Sequence, residues 1–372
     1  MMFMNLNIMQ WFDPFVLIFM GMSLALNGLV AYLWHKKFYR NLGLKTYQAV
    51  QRIHLNETPR LGGFIFILIL ASFVAFSNTN ESIQLLKIIL ICLIPIIFMG
   101  IKEDLFHNVE PAIRLMALLF VGWLFRVQFT GPLPILTDIP FIGKLLLLQG
   151  GISIFFILSM AAVANGMNLI DGVNGLCGAV ALSILGGLLF LSYKTSDITM
   201  LSLIFSVILL IIPFMLMNYP YGRIFLGDLG AYSLGLILSM LTIILFGRHP
   251  EISPWVAVLN LIYPATEVVF TLLRRMIKGV SIYHADTAHL HLKLFYFFRP
   301  QPHYKKVAIA NALVTPALSG LWLLPLLTIT WVYQKPLFIW IAIILFIGLY
   351  GLLNAIVPHA QKKQKKQFDS LS

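Results

Sequence analysis

The chain has 372 residues, of which 59% are hydrophobic and only 11% are charged, and its mean hydropathy is +0.89. A water-soluble domain carries roughly a quarter charged residues, so this composition excludes a water-soluble globule. The formal net charge is +12, which in a membrane protein indicates basic loops at the cytoplasmic, anionic lipid surface. Cys92 and Cys177 lie inside apolar runs, which excludes a disulfide framework and a thiolate metal site.

Apolar stretches long enough to cross a hydrocarbon core, about 20 residues as a helix, recur along the whole chain. The pattern predicts an all-α, polytopic membrane protein with eleven transmembrane helices, or ten as the closest alternative. The weakest assignments are the short second stretch and a Pro-rich segment over 132–150 that could dip back into the membrane. The predicted spans cover residues 11–34, 62–78, 83–101, 115–131, 151–168, 177–193, 199–217, 231–247, 253–273, 307–332 and 336–357.

The lysines and arginines are distributed unevenly between the two predicted membrane faces. Most of them fall in alternate loops, beginning with 35–61, and in the tail after residue 357. The positive-inside rule then predicts that these loops and the C-terminus are cytoplasmic. Topology accounts for the excess charge, so no nucleic-acid partner is predicted. We expect one transmembrane domain over 1–357 and a basic cytoplasmic tail over 358–372.

Carboxylates are scarce, yet half of them lie in or beside these basic loops. Magnesium prefers hard oxygen ligands and usually takes one or two carboxylates together with substrate phosphates. Glycines beside Asp171 and Asp228 would let the backbone approach a diphosphate closely. The acids therefore predict a magnesium site, and the alternative is that each one caps a helix or pairs with a loop arginine. The seven acids are Glu57, Glu103, Asp104, Glu110, Asp171, Asp228 and Asp286, out of 14 in the chain.

Basic and imidazole side chains in the same loops are candidates for binding phosphate. His289 and His291 follow a stretch with Arg274, and imidazoles and guanidinium groups both donate to phosphate oxygens. His54 and Arg60 lie in the first predicted cytoplasmic loop. The alternatives are a zinc site at the His-x-His pair, for which no further ligand stands at diagnostic spacing, and an ordinary positive-inside loop.

Glu267 is an acid placed inside a predicted span. An ionisable group at that depth indicates a functional site by default. The alternative is a structural ion pair with Arg274 or Arg275, about two helical turns further along.

The order of these motifs resembles the polyprenyl-phosphate sugar-1-phosphate transferases (glycosyltransferase family 4). This membrane family includes UDP-N-acetylglucosamine:undecaprenyl-phosphate transferase and phospho-N-acetylmuramoyl-pentapeptide transferase. The resemblance covers about residues 45–291. It rests on Thr58-Pro59-Arg60-Leu61-Gly62-Gly63, on Glu103-Asp104 followed by Pro111 and Arg114, on Asn165, Asn168, Asp171-Gly172 and Gly175-Leu176, on Gly227-Asp228, and on His289-Leu290-His291.

The resemblance implies a reaction and a set of residue roles. Mg²⁺, or Mn²⁺ in its place, binds the diphosphate of a UDP-sugar, a phosphate oxygen of undecaprenyl-phosphate attacks the sugar-proximal phosphorus, and UMP leaves. Carried over by position, the metal ligands are Asp228 and Asp104, and the catalytic acids are Glu103, Asp104 and Asp171. The substrate-binding residues are His54, Arg60, Arg114, Asn165, Asn168, Asn174, Arg274, His289 and His291. A homodimer and a location in the bacterial cell (inner) membrane are further expectations from the family.

Three positions depart from the family pattern. Glu103 stands where aspartate is usual, Asn174 where an aspartate is common, and Leu292 where a third histidine often follows. These departures favour one alternative, a catalytically silent relative. A second alternative is a secondary transporter, which would place its charged residues near mid-span. We expect the donor to be a UDP-N-acetylhexosamine rather than a pentapeptide-bearing nucleotide, and the product to start an O-antigen, a teichoic acid or a related cell-surface glycan.

Overall fold

A computed structural model describes residues 15–36, 58–136, 143–146, 148, 150–279, 288–299 and 304–357. Throughout these ranges the regular structure is helical and no strand occurs, which confirms the all-α class. His54, Glu57, Asp286 and the basic tail over 358–372 lie outside the described residues. The helices are α1 Phe15–His35, α2 Gly62–Phe76, α3 Glu81–Phe106, α4 Pro111–Gln128, α5 Gly143–Leu146, α6 Gly151–Ile170, α7 Leu176–Lys194, α8 Ile198–Asn218, α9 Gly227–Arg248, α10 Pro254–Asn260, α11 Ile262–Lys278, α12 Leu290–Phe298, α13 Tyr304–Ala317, α14 Ser319–Trp322, α15 Leu324–Val332 and α16 Pro336–Ile356.

The described helices confirm a multi-spanning membrane protein, and their span count agrees with the alternative of ten better than with eleven. Nine helical segments there are long and apolar enough to cross a membrane, with Val307–Val332 taken as one. Helices α10 and α11 form a tenth span if they are taken together, and they meet at a bend of 72°. The remaining predicted span, 62–78, is α2, which has only 15 residues and is shorter than the membrane core requires.

Local sequence signals account for several helix boundaries. The Asn80 side chain accepts from the N–H of Ile83 at 2.9 Å, and so caps the start of α3. Pro111 occupies the first turn of α4, where its missing N–H costs no helical hydrogen bond. Helix α11 ends at Gly279, whose φ of 61° lies in the left-handed region that favours glycine.

Helix α9 is the centre of the bundle. All of its residues from Gly227 to Gly247 are buried, and the helix packs against α2, α3, α6 and α7. Gly63 of α2 faces Gly230 of α9, and a Cβ added at either glycine would overlap with the backbone of the other helix. Small residues permit such close approach between membrane helices. Backbone hydrogen bonds join the two segments where these helices begin. The Gly63 N–H donates to the Leu226 carbonyl at 2.8 Å, and the Phe225 N–H donates to the Pro59 carbonyl at 2.8 Å.

The charged residues of the bundle are separated between its two ends. The end that holds the start of α9 also holds the ends of α3 and α6 and the start of α4, which are the polar breaks identified in the sequence. The opposite end has its own ion pairs, in which Arg248 donates to Asp197 at 2.7 Å and to Glu81 at 2.7 Å. The functional candidates of the sequence therefore meet at one end only.

We expect Gly63→Ala to destabilise the protein, because its methyl group has no space between α2 and α9. Overpacking of this kind costs about 1–3 kcal/mol. The thermal unfolding midpoint of the purified protein in detergent measures the effect. Gly28→Ala in α1 is the matched control, because nothing lies within 4 Å of a Cβ at Gly28. Equal midpoints for the two variants would contradict the close packing of α2 on α9.

Candidate active site

Asp228 lies in the first turn of α9, and its carboxylate contacts two guanidinium groups. Arg60 Nη2 donates to Oδ1 at 2.6 Å, and Arg114 Nη1 donates to Oδ2 at 3.1 Å. Both hydrogen bonds are charge-assisted and therefore stronger than neutral ones. Arg60 precedes α2 and Arg114 belongs to α4, so this carboxylate joins three helices.

Asp104, near the end of α3, binds the N-terminus of α9. Its Oδ1 accepts from the Asp228 N–H at 2.8 Å and its Oδ2 from the Leu229 N–H at 3.0 Å. Arg60 Nε lies 3.5 Å from Oδ1. The first N–H groups of a helix have no partner within the helix, and the helix dipole favours a negative charge there. Asp104 therefore acts as a capping group that is supplied by a neighbouring helix.

Glu103 uses both of its carboxylate oxygens within the turn between α3 and α4. Oε2 accepts from the Val109 N–H at 2.9 Å, and Oε1 accepts from Arg114 Nη2 at 2.6 Å. Arg114 also donates to the Val109 carbonyl through Nε at 3.1 Å. The side chain is buried. Glu103 therefore fixes the turn and the direction in which Arg114 points.

A polar cavity of about 350 Å³ opens between these helix ends. It brings together residues from five of the sequence motifs, although the motifs are far apart along the chain. Imidazoles, guanidinium groups and carboxylates on one surface form an environment suited to a phosphate-bearing ligand. The lining includes Arg60, Glu103, His107, Arg114, Asn168, Asp171, Gly172, Asp228, His289 and His291.

The electrostatics of this cavity follow from burial and from the crowding of carboxylates. Burial raises the pKa of the Asp171 carboxyl well above its ordinary value, and the negative charges of Asp228 and Asp104 add to this effect against the attraction of Arg60. Burial alone lowers the pKa of the Arg60 guanidinium, but the carboxylates of Asp228, Asp104 and Asp171 raise its pKa above the ordinary value. Arg60 is therefore a permanent cation in this cavity.

The carboxylates of this cavity fit magnesium by the type of their donor atoms. Among the described residues no three His, Cys, Asp or Glu side chains form a ready metal cluster. Magnesium is usually held by one or two carboxylates, with phosphate and water oxygens completing its octahedron. Asp171 and Asp228 both line the cavity and supply such oxygens. Both carboxylate oxygens of Asp104 accept backbone N–H groups instead.

The two histidines meet a buried carboxylate at the rear of the cavity. His289 Nδ1 lies 3.1 Å from Glu267 Oε2, and His291 Nδ1 lies 3.9 Å from Glu267 Oε1. The two imidazole rings are stacked with their centroids 5.5 Å apart. A Cβ added at Gly172 would lie 2.6 Å from His291 Nε2, so only glycine allows this approach of the ring. Burial lowers the pKa of His291.

An apolar cavity of about 430 Å³ lies next to the polar one, between α4, α6, α9 and α11. The two cavities share Arg114, Asn168 and Leu169 as lining residues. Asn165 and Arg275 line only the apolar cavity. A ligand with a phosphate group and a hydrocarbon chain could therefore extend from one cavity into the other.

Three described residues of the predicted site are not among those that line either cavity. Asp104 is one of them, because both of its carboxylate oxygens bind the start of α9. Asn174 is buried, and its side chain donates to the Pro220 carbonyl at 2.8 Å while its N–H donates to Asn311 at 2.7 Å. It joins loops behind the site and is not among the residues that line either cavity. Arg274 donates to Thr271 at 3.4 Å and is likewise not among the lining residues. The ligand-binding roles given to them by the resemblance stay predictions, as does that of His54.

Sequence reasoning missed His107, and it did not connect Glu267 with the two histidines. His107 ends α3 in a left-handed conformation with a φ of 52° and lines the polar cavity. The only signal for it was its position after the acidic pair. The Glu267 carboxylate lies 3.1 Å from His289 Nδ1 and 3.9 Å from His291 Nδ1.

These features define a multi-spanning helical membrane protein that has, at one end of its bundle, a polar cavity suited to a phosphate-bearing ligand. Residues 86–246 match the profile of glycosyl transferase family 4. The resemblance drawn from the motif order is therefore confirmed.

Individual relatives extend the similarity beyond the matched segment. The chain is 25% identical over 266 residues to a Bacillus subtilis protein named as a probable undecaprenyl-phosphate N-acetylglucosaminyl 1-phosphate transferase. The aligned residues make up 70% of this chain and 72% of that protein. It is 26% identical over 263 residues to an undecaprenyl-phosphate alpha-N-acetylglucosaminyl 1-phosphate transferase of Yersinia pestis, 69% and 70% of the two chains. A phospho-N-acetylmuramoyl-pentapeptide-transferase of Levilactobacillus brevis is 24% identical over 64% of this chain and 76% of its own.

We expect Asp104→Ala to destabilise the protein by about 1–3 kcal/mol, because two N–H groups at the start of α9 and the Arg60 guanidinium lose their acceptor. The thermal unfolding midpoint in detergent measures this loss. Glu110→Ala is the control, since Glu110 precedes α4 without any side-chain capping bond and is exposed. A midpoint for Asp104→Ala as high as that of the control would rule out the capping role.

We expect Asp171→Asn to stabilise the folded protein at neutral pH. The pKa of Asp171 is higher in the folded protein than in the unfolded chain, where it is about 3.9, so the unfolded chain loses this proton first. Stability therefore falls as the pH rises above about 4, and the neutral asparagine removes that loss. Unfolding midpoints between pH 4 and 8 should show a gain for the variant that grows with pH. A midpoint below that of the parent at pH 8 would contradict a raised pKa.

Proposed function

We propose that this chain transfers a sugar-1-phosphate from a UDP-N-acetylhexosamine to undecaprenyl-phosphate, releasing UMP and starting a lipid-linked cell-surface glycan. The observation that carries the proposal is the convergence of Arg60, Arg114, His289 and His291 on one cavity at the end of a membrane bundle. The names of the relatives in Bacillus subtilis and Yersinia pestis support the same reaction class.

The pair of adjoining cavities suits two chemically different substrates. The polar cavity has the cations and the volume for a diphosphate. The apolar cavity, which faces the membrane helices α4, α6 and α11, suits the hydrocarbon of a polyprenyl chain. Arg114 lines both cavities, so it is placed to bind the lipid phosphate where the two substrates meet. A lipid acceptor also explains why such a site lies at the end of a membrane bundle.

The reaction is a displacement at the sugar-proximal phosphorus. A phosphate oxygen of the lipid forms the new P–O bond, the bond to the UMP oxygen breaks, and UMP leaves with that electron pair. Asp228 and Asp171 would hold Mg²⁺, which when bound neutralises the diphosphate charge. Arg60, Arg114 and the histidines orient both phosphates and stabilise the charge that spreads over the transferring group, which is the main source of catalysis in this chemistry.

The membrane orientation belongs to the same proposal. The site end of the bundle carries the loops rich in lysine and arginine, which the positive-inside rule assigns to the cytoplasm. UDP-sugars are cytoplasmic metabolites, so this orientation exposes the polar cavity to the donor. A chain with the opposite orientation would have its site on the wrong side of the membrane for a nucleotide.

We expect purified protein to transfer radiolabelled sugar-phosphate from UDP-N-acetylglucosamine to undecaprenyl-phosphate in the presence of magnesium and not in its absence. Asp228→Ala should lower the rate by at least about a hundredfold, because it removes a cavity carboxylate together with the partner of two arginines. The measurement is the amount of labelled lipid product after extraction.

The control for this experiment is Glu251→Ala, which removes an exposed acid at the opposite end of the bundle. It should transfer at the parental rate. UDP-N-acetylgalactosamine and UDP-glucose, tested in parallel, identify the donor. Folded protein that forms no lipid product with any of these donors would reject the proposal and favour a catalytically silent relative.

A further inference from the structure

Glu267 is an acid buried inside the bundle that the proposed reaction does not itself require. It belongs to α11, and its side chain is 1% exposed. Burying a carboxylate is costly unless it is paired and hydrogen-bonded. Its contacts are directed to the histidine segment, with His289 Nδ1 at 3.1 Å and His291 Nδ1 at 3.9 Å. Those two histidines line the polar cavity.

The contact determines which nitrogen of His289 holds a proton. An ionised carboxylate only accepts hydrogen bonds, so Nδ1 of His289 is the donor toward Glu267. Nε2 is then the nitrogen left for a ligand in the cavity. Because its acceptor is a carboxylate, this hydrogen bond is charge-assisted and stronger than one between neutral groups.

The surroundings prevent the imidazoles from adopting another arrangement. His289 immediately precedes α12, and His291 lies in the first turn of that helix, where it is 1% exposed. His291 is held on its other side by the close approach of its Nε2 to Gly172. Lys293 of the same helix donates to Asn354 of α16 at 2.6 Å. Helix α12 is therefore fixed against α16, while the hydrogen bond to Glu267 fixes the imidazole of His289.

We propose that Glu267 is a positioning residue of the transfer site, which fixes the tautomer of His289 with the proton on Nδ1 and holds Nε2 of that ring toward the cavity that would receive the donor diphosphate. This inference rests on the proposed transfer function. In this role Glu267 does not touch the substrate, and it affects the site only through His289.

The test is a double-mutant cycle with Glu267→Gln and His289→Ala. Glutamine keeps an oxygen that accepts from Nδ1–H but lacks the charge, so we expect kcat to fall about 10- to 100-fold, by analogy with the loss of the hydrogen-bond partner of a metal-bound histidine. Glu267→Ala should fall further, because the orientation is lost as well. In the His289→Ala background, Glu267→Gln should have no further effect on kcat, since a residue that acts through His289 cannot act without it.

The matched control is Glu251→Gln, which alters another Glu–His pair, at 2.9 Å from His249 and on the opposite end of the bundle. It should leave kcat and KM unchanged. Equal losses from Glu267→Gln with and without His289 would overturn the proposal and assign Glu267 to the stability of α11. Full activity of Glu267→Gln would overturn it as well.

A spectroscopic measurement separates this inference from the transfer function. In protein labelled with ¹⁵N-histidine, the His289 resonances are those missing from His289→Ala. The ¹⁵N shifts in the parent should show a protonated Nδ1, and Glu267→Ala should abolish that signature whether or not a donor is turned over. An unchanged His289 spectrum in Glu267→Ala would overturn the positioning role, whereas a changed spectrum in protein that transfers no sugar-phosphate would leave the pairing intact and reject only the transfer function.

Discussion

The carboxylate of Asp228 and its two arginines are the interaction on which the site depends. Arg60 arrives from the segment before α2 and Arg114 from α4, and both meet a carboxylate in the first turn of the most deeply buried helix. The pairing is possible because α2 and α9 touch backbone to backbone at Gly63 and Gly230. A small-residue contact within the bundle therefore sets the positions of cations at its surface.

The same region shows how a membrane protein accommodates many charges at one helix end. The start of α9 has free N–H groups, and Asp104 satisfies two of them from a neighbouring helix. Arg60 offsets the resulting concentration of negative charge, and its pKa is raised in consequence. The polar cavity lies beside these ion pairs, and the apolar cavity that adjoins it lies between the membrane helices, a combination that suits a phosphate with a long hydrocarbon chain.

The sequence predicted the fold class because hydropathy over some 20 residues decides whether a helix can span a membrane. Within the described residues the lower of its two span counts, ten, agrees with nine spanning helices and the bent pair α10 and α11, whereas the predicted span over 62–78 is a helix of only 15 residues. The sequence also predicted one site from polar residues at helix ends on the same membrane face. The structure places seven of them around one cavity: Arg60, Arg114, Asn168, Asp171, Asp228, His289 and His291. The sequence could not separate Asn174 from that group, because its side chain turns toward Pro220 and away from the cavity, and this depends on contacts between distant loops.

Glu103 illustrates why a residue that departs from a family pattern is best interpreted from its contacts. Its extra methylene group lets one carboxylate reach the Val109 N–H and the Arg114 guanidinium at the same time. Arg114 in turn contacts Asp228 and lines both cavities. The longer side chain therefore holds a cation in place at the point where the two cavities join. A shorter aspartate would have to give up one of these contacts or shift the turn between α3 and α4, so the glutamate and the local geometry of this turn have to be considered as one unit.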